Sequence, residues 1–284
     1  MSVDHYENFP VASVLCPSAL RPAVAAIYYF ARTADDVADE GEATPGRRLA
    51  DLAAYRAELA TACNGDGAFT RWPQVFGPLR TVLAMHALPV DLLTDLLSAF
   101  EQDVVKTTYA NRADLLDYCR RSANPIGRLL LHLYGVSGAQ VLRQSDAICT
   151  ALQLANFWQD LSVDTPRGRL YLPESDCARH AVDAPALLAQ RDAQNVRALI
   201  ADMVDWSRDL MHAGAPLVHA IPGRAGWELR LVVQGGLRIL EKITAMDFAT
   251  LRTRPKLYWY DAPLLLWRAM WMRAPRAVVA SESA

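Results

Sequence analysis

A chain of 284 residues, 52% of them hydrophobic and with a formal net charge of −2, has ample apolar material for a large core. Its charge balance argues against nucleic acid as the main partner. The lysines are Lys106, Lys242 and Lys256, so the positive charge is almost entirely guanidinium.

In chain order the punctuation predicts a series of helices. A first runs over 20–40 and stops at Gly41, and Thr44-Pro45 supplies an N-cap and first-turn proline for a second, reaching about Cys63. Asn64 to Gly67 is a loop. Helices follow over 73–86, 90–106, 112–134 and 139–163, with an irregular segment over 165–176. A long helix is expected over 185–212, a Gly/Pro loop over 214–226, a helix over 227–246 and a short last one over 263–272. A frayed tail is expected over about 275–284. With no linker-like stretch and no 20–50-residue repeat, the reading is one all-α domain spanning 1–284.

The five cysteines are scattered without a CxxC pair, which suits reduced thiols in the cytoplasm. The first residues have neither a basic n-region nor an apolar h-region, and no apolar run reaches the length of a membrane span. Segment 264–272, with Trp267 and Trp271, could touch a membrane surface, although core packing explains such a stripe more often.

Two acid-bearing segments stand out: Asp35-Asp36-Val37-Ala38-Asp39-Glu40, and Asn156 to Asp164 with Asp160 between them. A spacing of four places Asp35 with Asp39, Asp36 with Glu40, and Asn156 with Asp160 and Asp164 on shared helix faces. Like charges at this spacing weaken a helix by roughly 0.2–0.5 kcal/mol per pair. No lysine or arginine stands within either ladder. Both ladders fall at helix C-termini, where carboxylates oppose the macrodipole. A solvated face is the ordinary explanation of a charge run, but two segments breaking the same local rules mark a candidate site. Facing carboxylate ladders suit hard divalent cations and a polyphosphate. Phe9, Tyr28, Tyr29, Phe30, Phe157 and Trp158 could wall off a reactive cation from water, and each could equally be core. Other signatures are missing: no Glu-x-x-His pair for a di-iron bundle, and no P-loop, GxGxxG or GxSxG. Gly235-Gly236 reads as close helix packing.

Asp35-Asp36-x-x-Asp39, Gln153-x-x-Asn156-x-x-x-Asp160-x-x-x-Asp164 and Gly168-Arg169-Leu170-Tyr171-Leu172-Pro173 together resemble the squalene/phytoene synthase family. Residues 4–13, Ser122 to Arg128 and Asn156-Phe-Trp-Gln-Asp160 are similar to its hydroxysqualene synthase branch in hopanoid biosynthesis. The resemblance implies a single all-α bundle of isoprenoid-synthase type with a central active-site cavity. It implies magnesium, with manganese as a substitute, on Asp35, Asp39, Asn156, Asp160 and Asp164, and no requirement for NADPH. Those four aspartates and Tyr171 become catalytic candidates. His5, Phe9, Tyr28, Arg32, Asn124, Gln153, Phe157 and Arg169 become substrate-binding candidates, and Asp36 shapes the field at the entrance. Two departures from the wider family occur, Gln159 where arginine is common and Val163 where an acid is common; both weaken a phytoene synthase reading.

The reaction implied is ionisation of presqualene diphosphate, rearrangement and capture by water; Asn124 and Gln159, polar residues inside otherwise apolar motif segments, are the candidates for positioning that water. The alternatives are a head-to-head synthase condensing two farnesyl diphosphates and, from another class, a non-catalytic helical assembly factor. An isoprenoid diphosphate substrate, peripheral contact with the inner face of a membrane and partner enzymes of the same pathway complete the expectation.

Overall fold

Helix starts and stops are written mostly by prolines and glycines. The computed structural model describes residues 15–65 and 67–272. Its first half forms α1 (Arg21–Asp39), α2 (Pro45–Asn64), α3 (Pro73–His86), α4 (Val90–Asp103), α5 (Arg112–Ser122), α6 (Asn124–Leu133) and α7 (Ala139–Gln159). The rest forms α8 (Leu161–Asp164), α9 (Glu174–Arg179), α10 (Ala184–Leu188), α11 (Gln194–Gly214), α12 (Gly223–Ala245) and α13 (Ala262–Met270), and no strand occurs among the described residues. The all-α expectation holds. His5, Phe9 and the tail over 275–284 lie outside the described residues.

Where the boundaries are chemically explicit they fall as expected. The Thr44 hydroxyl accepts from the Arg47 amide at 3.3 Å, Pro45 opens α2, and Gly65 closes it at φ +80°. Three predicted long helices are broken. Pro125 has no amide to offer the helix and crowds the preceding turn, so 112–134 divides at Ala123 into α5 and α6. The helix expected over 139–163 kinks at Asp160 (φ −99°, ψ 9°), then makes one further turn, α8. The helix expected over 185–212 divides into α10, capped by Asp183, and α11, with Gln190 at φ +50° between them. The expected loop over 214–226 is instead a 3-10 turn, Ala215–His219, followed by the first turns of α12.

α7 is the central element: Ile148, Ala151, Leu154, Ala155 and Trp158 are all buried along it. α11 and α6 approach it closely because of two glycines. A Cβ at Gly214 would stand 2.6 Å from the Gln144 carbonyl oxygen, and one at Gly127 would stand 2.4 Å from the Ser145 hydroxyl. Gly236 likewise fits against Met211 and Leu152, as the packing interpretation of Gly235-Gly236 expects. α1 buries Ala23, Ala26, Ile27, Phe30, Ala34 and Ala38 on one face against α2, α3 and α4. Its opposite side is left to face α7 across a cavity. No helix of the described residues is long and apolar enough to cross a membrane.

Candidate active site

A cavity of about 630 Å³ runs between α1 and α7 and on to α6 and α12. At one end it is lined by Asp35, Asp39, Asn156, Asp160 and Asp164, with Arg32 and Arg169 beside them. Two segments 120 residues apart thus meet as the ladders predicted. Tyr28, Gln153, Phe157 and Tyr171 line the same cavity. Its far part is apolar: Leu130, Leu131, Ile148, Leu217, Leu229 and Val232 are among its walls.

The ladders are less isolated than the sequence suggests. Arg32 reaches forward along α1 to Asp35 at 3.1 Å, Asp36 at 2.8 Å and Glu40 at 3.1 Å. Arg169 pairs with Asp39, and Arg167 lies 3.8 Å from the same carboxylate. Arg254 grips Asp160 through Nε and Nη2, the latter at 2.9 Å. Arg32 from one turn earlier on α1, and Arg167, Arg169 and Arg254 from across the site, therefore supply the cations that neither ladder carries internally and offset the like-charge penalty.

The electrostatics remain acid-rich at one point. Burial pushes the Asp39 carboxyl up, but the Arg169 hydrogen bond and charge, with Arg167 and Arg48, outweigh it and hold the group below the ordinary value. Asp164 is different: burial and the charge of Asp160 push it up to about 7 despite Arg169 and Arg167. That surplus is what a divalent cation would relieve. Among the described residues no three Asp, Glu, His or Cys side chains form a closed metal cage. Oxygen donors on opposed helices nevertheless fit magnesium, which keeps several waters and completes its octahedron with substrate phosphates.

Tyr171 stacks on Phe157 with ring centroids 3.8 Å apart and planes 7° from parallel. Tyr118 and Tyr109 extend this into an aromatic wall. The segment carrying Tyr171 is pinned by backbone bonds from Leu170 to the Thr107 carbonyl (2.8 Å) and from Glu174 to that of Tyr109 (2.9 Å).

Other predicted residues lie elsewhere. Asn124 is buried outside the cavity lining, accepting from the Thr150 hydroxyl at 3.0 Å, and Gln159 donates to the Pro255 carbonyl at 2.7 Å. Both amides tie helices or loops together, so neither is placed to hold a water in the cavity. Phe30 and Trp158 are core, the latter donating to the Ser207 hydroxyl at 2.7 Å, and Tyr29 faces outward. Asp36 is outside the lining, held by Arg32. Among the lining residues that sequence reasoning missed are Arg254, Asp103 and Tyr118. Tyr118 donates to Asp103 Oδ2 at 2.8 Å, while Asp103 Oδ1 is buried with no hydrogen-bond partner among the described residues. Burial, with the charges of Asp35 and Asp39, raises Asp103 to about 7 against the Tyr118 bond.

Known proteins resemble this chain in sequence and fold. The sequence model of the squalene/phytoene synthase family matches residues 3–261, and the chain belongs to that family of isoprenoid synthases. It is 33% identical over 241 residues to a hydroxysqualene synthase of Sinorhizobium fredii, covering 84% of this chain and 79% of the relative. A 15-cis-phytoene synthase of Paracoccus is 31% identical over 246 residues, covering 82% and 78%. The squalene synthase HpnC of Alicyclobacillus acidocaldarius superposes with a TM-score of 0.79 at 37% identity, over 86% of this chain and 90% of that one.

Proposed function

We propose that this protein is a hydroxysqualene synthase, converting presqualene diphosphate and water to hydroxysqualene and diphosphate. The carrying observation is the convergence of Asp35, Asp39, Asn156, Asp160 and Asp164 with Arg169 at one end of a cavity whose other walls are apolar and aromatic. A charged head and a long isoprenoid tail require those two environments in one enclosure. The similarity to the Sinorhizobium fredii enzyme supports the choice of reaction.

In this reading the four aspartates and Asn156 would hold magnesium, which would supply neutralisation of the charge on the departing diphosphate. Arg169 and Arg32 give the diphosphate oxygens forked donors. The stacked pair Phe157 and Tyr171, with the apolar walls, keeps bulk water from the cation left behind. Capture by a single water releases a proton. Asp103, a cavity-lining carboxylate outside both ladders whose pKa is raised to about 7 by burial, is suited to accept it. No reductant enters this balance.

A second reading, head-to-head condensation of farnesyl diphosphate, is favoured by the similarity to the squalene synthase HpnC. Purified protein with magnesium is incubated separately with presqualene diphosphate and farnesyl diphosphate, with and without NADPH, and products are identified by mass spectrometry. Hydroxysqualene from presqualene diphosphate alone is expected. Turnover of farnesyl diphosphate only would replace the proposal with the condensing reaction.

A further inference from the structure

Among the described residues fifteen large hydrophobic side chains are exposed, and eight of them lie between Leu257 and Trp271. Trp259 is 85% exposed, Trp271 62% and Trp267 58%, with Tyr258, Tyr260, Leu266 and Met270 around them. Exposure concentrated in one stretch of 15 residues differs from the scattered apolar residues of any soluble surface.

The stretch is firmly built. Asp261, buried beneath it, takes Arg238 Nε at 2.9 Å, Lys242 Nζ at 2.7 Å and the Tyr258 amide at 2.8 Å. Tyr258 and Tyr260 stack at 5.2 Å with Lys242 against both rings. α13 is fastened to α12 by Arg268–Glu241 at 2.5 Å and by Arg230, which donates to the Ala269 and Met272 carbonyls. Trp267 and Trp271, one turn apart, present their rings together. These anchors hold the rings outward.

Charge and composition say what the surface meets. Beneath the face Arg238, Lys242 and Arg268 meet Asp261 and Glu241, three cations to two acids, while Arg252 and Arg254 are paired with Asp192 and Asp160. Lys256 is exposed beside the aromatic run and has no ion-pair partner among the described residues. Tryptophan and tyrosine with basic side chains are the residue types that settle at the headgroup level of a bilayer, and the excess of positive charge complements anionic lipid. Position agrees: α12 lines the apolar part of the cavity with Leu229 and Val232 and carries α13 through Arg238 and Glu241. One helix therefore separates the apolar arm from the aromatic surface.

We infer that the face formed by residues 256–271 docks the protein on an anionic lipid surface, with Trp259, Trp267 and Trp271 entering the headgroup region and Lys256 pairing with lipid phosphate. The inference stands on the surface itself and is independent of which reaction the cavity performs.

The test needs no substrate. Full-length protein is floated with vesicles of phosphatidylcholine alone and with phosphatidylglycerol added, and tryptophan emission is followed with brominated lipid as quencher. Binding to the anionic vesicles, a blue shift and quenching are expected. Trp259→Ala/Trp267→Ala/Trp271→Ala, all three on the surface, should lower partitioning at least tenfold while circular dichroism is unchanged. Lys256→Glu alone should lower it roughly thirtyfold at low salt, two charge units at about fivefold each. Absence of wild-type binding to either vesicle, or equal binding by the triple variant, overturns the inference. So does a wild-type dimer in light scattering that the triple variant converts to monomer without any vesicle binding, since a second copy would then be the occupant.

Discussion

Asp160 carries two demands at once. It sits at the kink between α7 and α8, its amide still bonded to the Asn156 carbonyl at 2.9 Å, and its carboxylate takes both donors of Arg254. Under the proposed reaction Asp160→Asn is expected to lower turnover by at least about a hundredfold, the scale on which losing one group that stabilises transition-state charge acts, while the far-ultraviolet circular dichroism stays helical. A variant that unfolds instead would make the ladder structural. Asp103 gives a prediction in pH. Its carboxyl is raised to about 7 in the folded protein, so the folded state holds a proton that the unfolded chain has released. The stability this contributes is present at low pH and is lost as pH rises from about 4 to about 7. Asp103→Asn removes the loss. Measured by urea unfolding, variant minus wild-type stability should climb across that window by on the order of 1–4 kcal/mol and level off above it; a flat difference would mean that Asp103 titrates normally. Residue-scale legibility was uneven for a physical reason. The ladder acids repeat at the helical period and so announce a face. Asp103 also ends a helix without a basic residue in its last turn, but with no partner acid one turn away it passed as ordinary. Arg254 lies 94 residues from the carboxylate it grips, and no local pattern encodes such a pair.

At the scale of elements, the interfaces that matter are those where backbones come close enough to exclude a methyl group. Gly214→Ala would drive its Cβ against the Gln144 carbonyl oxygen and the Ile148 amide, at 2.6 and 2.9 Å. Backbone atoms cannot step aside as a side chain can, so α7 and α11 must separate. A loss of roughly 1–3 kcal/mol is expected, read as a lower urea midpoint. Gly46→Ala is the control: it is helical, nothing lies within 4 Å of its Cβ, and it should be neutral or slightly stabilising. Equal midpoints for the two variants would show that the close approach carries no energetic weight. Helix existence was readable from hydrophobic period and capping residues, as Thr44, Pro45 and Gly65 illustrate. The breaks were not. Pro125 was available as a signal at the α5–α6 junction, but the kink at Asp160 has no proline or glycine to mark it.

For the whole molecule, the test is whether the acid-rich end of the cavity takes metal and anion together. Magnesium with inorganic diphosphate should raise the melting temperature more than either alone. At about a hundredfold over the dissociation constant the stabilisation is roughly 2.7 kcal/mol, or about 5–11 °C for a chain of this size. No shift with both present would remove the metal–diphosphate reading and leave family membership intact. The sequence by itself determined the helical class, the two carboxylate faces and the family, because periodicity, capping and motif spacing are local properties of a helix-forming chain. Tertiary structure alone brought Arg169 to Asp39 and Arg254 to Asp160, whereas Arg32 meets Asp35 and Asp36 through local helix spacing. Tertiary structure also turned Asn124 and Gln159 away from the cavity and left one aromatic, basic face uncovered. Those outcomes depend on which helices cross at close range, and that is set by packing between residues far apart in the chain.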